Sequence, residues 1–118
     1  MQEWRNAMSR VNIKSILENK NTKKIITLNT RGIKNNNIIT YKDNDILVII
    51  KIDKSIKMKR NNIEFEFIEN ENTNCIYNIY DKQLNLNIFT NKLIIEEKYL
   101  EIDYIIEEEK LNFKLFIE

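Results

Sequence analysis

The 118-residue chain has no histidine and no proline, with one glycine and one cysteine. Each shortage closes a class of chemistry. Without histidine the commonest general base and the commonest metal ligand at neutral pH are gone. One glycine cannot build a phosphate-cradling loop. A lone Cys75 can form neither an internal disulfide nor a cysteine metal cluster, which fits a reducing compartment. No long apolar run exists either. The longest, Ile46–Ile50, is far too short to span a bilayer, and the opening MQEWRNAM lacks the apolar stretch of a signal peptide. The expectation is a cytoplasmic protein with no membrane segment, no metal and no cofactor.

Isoleucine, asparagine and lysine dominate instead, at 23, 19 and 15 residues. That skew suggests an AT-rich genome, so part of the asparagine content reflects codon usage. A chain of this length makes one domain and buries roughly two-thirds of its unfolded surface. The net charge is +1, but it is divided unevenly. Residues 1–60 hold 14 Lys or Arg against five Asp or Glu, and residues 61–118 hold five against 13. Two readings follow. The halves attract along a seam, or Lys51, Lys54, Lys57, Lys59 and Arg60 make a basic face for nucleic acid. The first is preferred, because overall charge is near neutral and no exposed aromatic ladder offers stacking.

Period-two alternation runs through the chain, and no helical stripe competes with it. Val11, Ile13, Ser15 and Leu17 share one parity, followed by Ile26, Leu28 and Thr30. A bend is expected at Arg31-Gly32, then turns at Asn35-Asn36-Asn37, at Asp43-Asn44-Asp45 and at Asp53-Lys54. Ile56, Met58 and Arg60 lead through the hairpin Asn61-Asn62 to Ile63, Phe65 and Phe67. After a polar loop come Cys75, Tyr77 and Ile79. Leu84, Leu86, Ile88 and Thr90 then alternate up to an expected turn near Asn91-Lys92. Leu93 and Ile95 follow on the other parity, then Leu100 to Ile106 and Leu111 to Ile117. About ten short strands joined by short loops read as an antiparallel meander, and closing it removes exposed edges. The fold class is therefore all-β, one barrel domain over residues 9–118. Residues 1–8 form an extension in which Trp4, Ala7 and Met8 could make a helical turn plugging one end.

Several segments resemble the YwiB-type family of small bacterial proteins with a lipocalin-like, or calycin-like, barrel. They are SIKMKRNN, with Met58 and Arg60 in a Met-x-Arg strand, then Tyr77, then FTNKLIIEEKYLEIDYII. In the last, Thr90, Leu93, Leu100 and Tyr104 stand at the spacing of the family's Thr, Leu, Gly and Tyr. VNIKSILEN, NTRG and the alternating C-terminal end are also similar, so the likeness covers nearly everything after Ser9. This chain has Asn61-Asn62 where the family usually has a glycine after Met-x-Arg. It has Asn78-Ile79-Tyr80-Asp81 in place of a Thr-Pro-x-Gly segment. The resemblance implies a barrel and no activity.

Arg60 shares parity with Ile56 and Met58, so it should point inward, where a guanidinium must find acceptors. Tyr77, Thr90 and Tyr104 share parity with apolar neighbours too. Facing inward together, these four would place a few polar groups in an apolar wall, as in a small-molecule pocket. An arginine there favours a carboxylate or phosphate. The competing reading is that Arg60 ties strand carbonyls or a buried carboxylate and closes the core. Cys75 lacks an activating base, and Glu107, Glu108 and Glu109 read as a solvated turn before a metal site. No catalytic constellation is expected. A non-catalytic binder of a small, anionic ligand in the barrel mouth is the leading expectation. A filled-core interaction module, forming a homodimer, is the alternative.

Overall fold

A computed structural model describes residues 8–118. Ten strands follow in chain order: β1 Met8–Asn19, β2 Lys24–Asn35, β3 Ile38–Asp43, β4 Ile46–Ile52 and β5 Ile56–Arg60, then β6 Ile63–Phe67, β7 Asn72–Ile79, β8 Lys82–Glu96, β9 Tyr99–Ile106 and β10 Glu109–Ile117. Each pairs antiparallel with its neighbours, and β10 returns to β1, so the meander is a closed barrel. The expected all-β antiparallel barrel of about ten strands is therefore observed. Met8 opens β1, while Trp4 and Ala7 of the expected helical turn lie outside the described residues.

The turns explain how a chain with one glycine makes so many tight connections. Among the described residues eight non-glycine residues have left-handed backbone, and four of them are Asn36, Asn44, Asn61 and Asn70. Asparagine tolerates this region best after glycine, because its short side chain bonds locally. Part of the asparagine content is thus structural. Glu107 and Glu108 are both left-handed, the signature of a type I′ two-residue hairpin, with residues poorly suited to it.

Side-chain alternation fills the interior. Ile13, Ile39, Ile50, Ile56, Phe67, Ile88, Leu100, Ile102 and Leu115 are essentially inaccessible. Gly32 does not serve a left-handed turn, since its φ is negative. It permits close approach: a Cβ there would lie 2.7 Å from the Thr40 carbonyl oxygen and 3.1 Å from Tyr41 Cβ. No turn interrupts the chain at Arg31-Gly32, since β2 continues through it to Asn35.

The expected turn at Asn91-Lys92 is not a turn. β8 runs unbroken for 15 residues and carries a bulge, its register with β9 shifting between Thr90 and Lys92. A bulge inserts one extra residue and so flips the parity as a turn would, which is why the two look alike in sequence. The loop before β7 folds over this bulge. Asn70 N–H donates to the Thr90 carbonyl at 2.7 Å, and Leu93 N–H donates to Glu69 Oε2 at 3.2 Å.

The uneven charge does meet across the seam. Lys20, after β1, pairs with Asp103 on β9 at 2.6 Å. Lys51, Lys57 and Lys59 lie on the outer wall of β4 and β5, where Glu66 and Glu64 stand opposite Lys57 and Lys59. Arg60 points the other way.

Candidate functional site

Five connections, at residues 20–23, 44–45, 61–62, 80–81 and 107–108, share one end of the barrel. Below them the interior is not full. A cavity of about 260 Å³ is lined by Arg60, Asp43, Tyr41, Met58, Phe67, Tyr104 and Phe113, among others. Its floor is aromatic: the Phe67 and Tyr104 rings sit 4.9 Å apart, tilted by 59°, and Phe65 stacks on Phe67 at 5.7 Å. Beneath that floor the isoleucine-rich core closes the barrel, so the space is a cup and not a channel.

Arg60 ends β5 and points inward, as its parity requires. Its Nη1 lies 2.7 Å from Asp43 Oδ2, the side chains being 35% and 24% exposed. The guanidinium therefore has one carboxylate partner and stays reachable at the rim. Arginine presents five N–H donors, so a single carboxylate leaves donors available. Tyr41, two residues before Asp43 on the same face of β3, is buried. Burial raises its hydroxyl pKa far above the usual value, an effect partly offset by the Arg60 charge. Tyr104 is raised in the same way, chiefly by burial. Both hydroxyls are neutral donors at any physiological pH.

The four residues singled out from sequence separate into two pairs. Arg60 and Tyr104 line the cavity. Thr90 faces Tyr104 across the β8–β9 ladder but is fully buried, outside the lining. Among the described residues its Oγ1 has no hydrogen-bond partner. Tyr77 is half-buried, across the ladder from Ile63, which lines the cavity while Tyr77 does not. Three further polar lining residues, Ser15, Tyr41 and Asp43, are not among the site residues that the sequence singles out. Ser15 and Tyr41 fall in expected strands, whereas Asp43 reads as part of a turn although it continues the parity of Ile39 and Tyr41.

Cys75 is buried on β7, and burial pushes its thiol pKa up, away from a reactive thiolate. Glu107 and Glu108 form the exposed β9–β10 turn. A second polar cluster lies on the outer wall. Glu101 accepts from Asn112 Nδ2 at 2.9 Å and from the Tyr99 hydroxyl at 2.7 Å, with Lys92 Nζ at 3.3 Å. These bonds, Asn112 foremost, hold the Glu101 carboxyl down at about 2. Burial and the Glu101 bond push Tyr99 up to about 12. Each member has its partners, so this cluster ties β8, β9 and β10 together.

One side of the cavity lies against a stretch of wall where two neighbouring strands part. β2 and β3 pair only from Gly32↔Tyr41 to Asn35↔Ile38. Above Gly32 the two strands part, and Ile26 and Leu28 of the unpaired stretch line the cavity together with Tyr41 and Asp43 of β3.

Comparison with known proteins supports the architecture. The crystal structure of the ywiB protein from Bacillus subtilis is similar, with a TM-score of 0.73 at 20% identity. The match covers 97% of this chain and 96% of that one. No curated protein matches the chain. The model of a domain of unknown function, DUF1934, matches residues 11–114. A closed ten-strand meander and a family match along nearly its whole length place the chain in the DUF1934 family, to which it belongs.

Proposed function

We propose that this barrel is a non-catalytic, cytoplasmic binding protein that holds a small amphiphilic anion in the cup at its hairpin end. The observation that carries this reading is the pairing of an aromatic floor with a reachable guanidinium at the rim. The apolar part of the ligand would rest on Phe67, Tyr104 and Phe113, and its carboxylate or phosphate would share Arg60 with Asp43. Ligand pockets commonly span about 300–1,000 Å³, so a cup of 260 Å³ suits a small molecule. Because Asp43 already compensates Arg60, the head group gains less than it would from a bare cation, and modest affinity is expected. Leu47, Leu84 and the fully exposed Tyr80 add apolar surface at that end.

The test is a titration with octanoate, with octanol as its uncharged control, read by calorimetry and thermal shift. Ligand at about 100 times its Kd adds about 2.7 kcal/mol of stability, enough for a clear rise in Tm. Octanoate should bind, octanol should bind at least fivefold more weakly, and Arg60→Gln should erase the difference. If no acid of this size shifts Tm, or if Arg60→Gln binds octanoate unchanged, the reading is wrong.

A further inference from the structure

Asn12 N–H donates to the Glu118 carbonyl at 2.8 Å, and Glu118 N–H returns the bond at 2.9 Å. Even-numbered residues of β1 therefore turn their backbone groups to β10, and odd-numbered ones to β2. The bond from Lys23 N–H to the Asn19 carbonyl at 2.7 Å follows the same alternation. The β1–β2 register pairs odd residues of β1 with Lys24, Ile26, Leu28, Thr30 and Gly32. The amides and carbonyls of Ile25, Thr27, Asn29 and Arg31 consequently point away from β1. β3 would satisfy them, but its ladder stops at Gly32. The Gly32↔Tyr41 pair engages the Arg31 carbonyl with Lys42 N–H, but among the described residues no ladder pair reaches the Arg31 amide or the groups of Ile25, Thr27 and Asn29.

The open edge is long and undefended in its middle. Natural edges are blunted by proline, bulges or central charges. Residues 25–30 read IITLNT, with none of these. Ile25 and Ile26 are 60% and 65% exposed. Positive charge flanks the stretch, at Lys23 and Lys24 on one side and Arg31 on the other. The chain has no Asp or Glu from residue 19 to residue 42, a span holding five lysines and one arginine. An added strand must bring the complementary sign. A second copy of this chain paired antiparallel about Thr27 would set Lys23 opposite Arg31, and like charges directly opposite destabilise a ladder.

We propose that the edge of β2 from Ile25 to Arg31 is a docking site for an extended acidic segment of a partner protein, added as an extra strand. Main-chain bonds from Ile25, Thr27, Asn29 and the Arg31 amide supply affinity, and Lys23, Lys24 and Arg31 select for acidic flanks. Seven residues of edge span about 20 Å, so a segment of six to eight residues fills it. Ile26 and Leu28 belong both to this edge and to the cavity lining, so the docked strand would roof the cup. This inference needs no ligand inside the barrel and stands or falls apart from the cup.

The test is fluorescence anisotropy with a labelled peptide, Glu-Glu-Val-Thr-Val-Thr-Val-Glu, on the full chain. Binding should weaken at least tenfold with the Lys-flanked counterpart of the peptide, and as much with a version N-methylated at alternate residues. Asn29→Pro should do the same, since it removes an outward amide and leaves the β1 ladder intact. Lys24→Glu combined with Arg31→Glu should reverse the preference between the two peptides. No binding at millimolar peptide overturns the proposal, as does equal binding of the methylated version. So does a doubled mass in light scattering that Asn29→Pro halves, which would give the edge to a second copy. Tenfold tighter binding by a chain lacking residues 2–7 would give it to the chain's own beginning.

Discussion

Replacing Gly32 with alanine tests the account of how the barrel wall is pinched below its slot. An alanine Cβ would stand 2.7 Å from the Thr40 carbonyl oxygen and 3.1 Å from both Ile13 Cγ1 and Tyr41 Cβ. The two side-chain contacts can give by tenths of an ångström. The carbonyl cannot, because Thr40 is held in register with Ile33 by the β2–β3 ladder. Overpacking of this kind costs about 1–3 kcal/mol. Restricting the unfolded chain returns about 0.4–1 kcal/mol, since the φ here suits any residue. The net loss is about 1–2 kcal/mol, or a Tm lower by about 4–8 °C in a domain of this size. Urea unfolding gives the free energy, and amide exchange gives the location. Protection should fall at Ile33 and Asn35, the short ladder that the methyl forces apart, and stay unchanged at Leu111–Leu115. A Gly32→Ala protein as stable as the parent, or one losing protection evenly around the barrel, would refute the close-approach argument.

Other perturbations probe separate features. Glu101 is held near 2 in the folded barrel and returns to its ordinary value of 4.5 on unfolding. Its contribution is complete above pH 4.5 and disappears as pH falls toward 2, so Glu101→Gln should flatten the acid limb of stability against pH in that window. The size is at most about 3 kcal/mol, less what solvent screens on an outer wall; an unchanged acid limb would contradict it. Thr90→Val removes a buried hydroxyl without a partner and should raise stability by about 1 kcal/mol in urea melts; a loss would mean that the hydroxyl is satisfied. Glu107→Asn with Glu108→Gly fits a left-handed turn better and should stabilise by about 1–2 kcal/mol by thermal denaturation, whereas no gain would show that the turn carries little strain.

Strand content was legible because alternation survives in almost every segment, and one buried face enforces it. The inward aim of Arg60 followed from Ile56 and Met58 alone. Its partner did not, because Asp43 sits beside Asn44 and Asp45 in a stretch whose composition says turn. The bulge at Thr90 was read as a connection, since a parity switch has the same trace in sequence whether the chain reverses or merely slips. The interlocking of Glu101 with Asn112 was out of reach for a different cause. Polar residues on an outer face look interchangeable until every turn length has fixed which strand positions meet. The slot between β2 and β3 is the extreme case, because how far two strands stay paired is a property of the closed wall and not of either segment.

The seam between β1 and β10 joins residues about a hundred positions apart, and the barrel exists only once it is made. Until the last nine-residue strand leaves the ribosome, every earlier stave belongs to an unfinished fan with two adhesive margins. Contacts this distant in sequence also slow the search for the native state. A chain stopped a few codons early is therefore no slightly damaged barrel. It is a template for clumping, and its cell must either finish such chains or destroy them quickly.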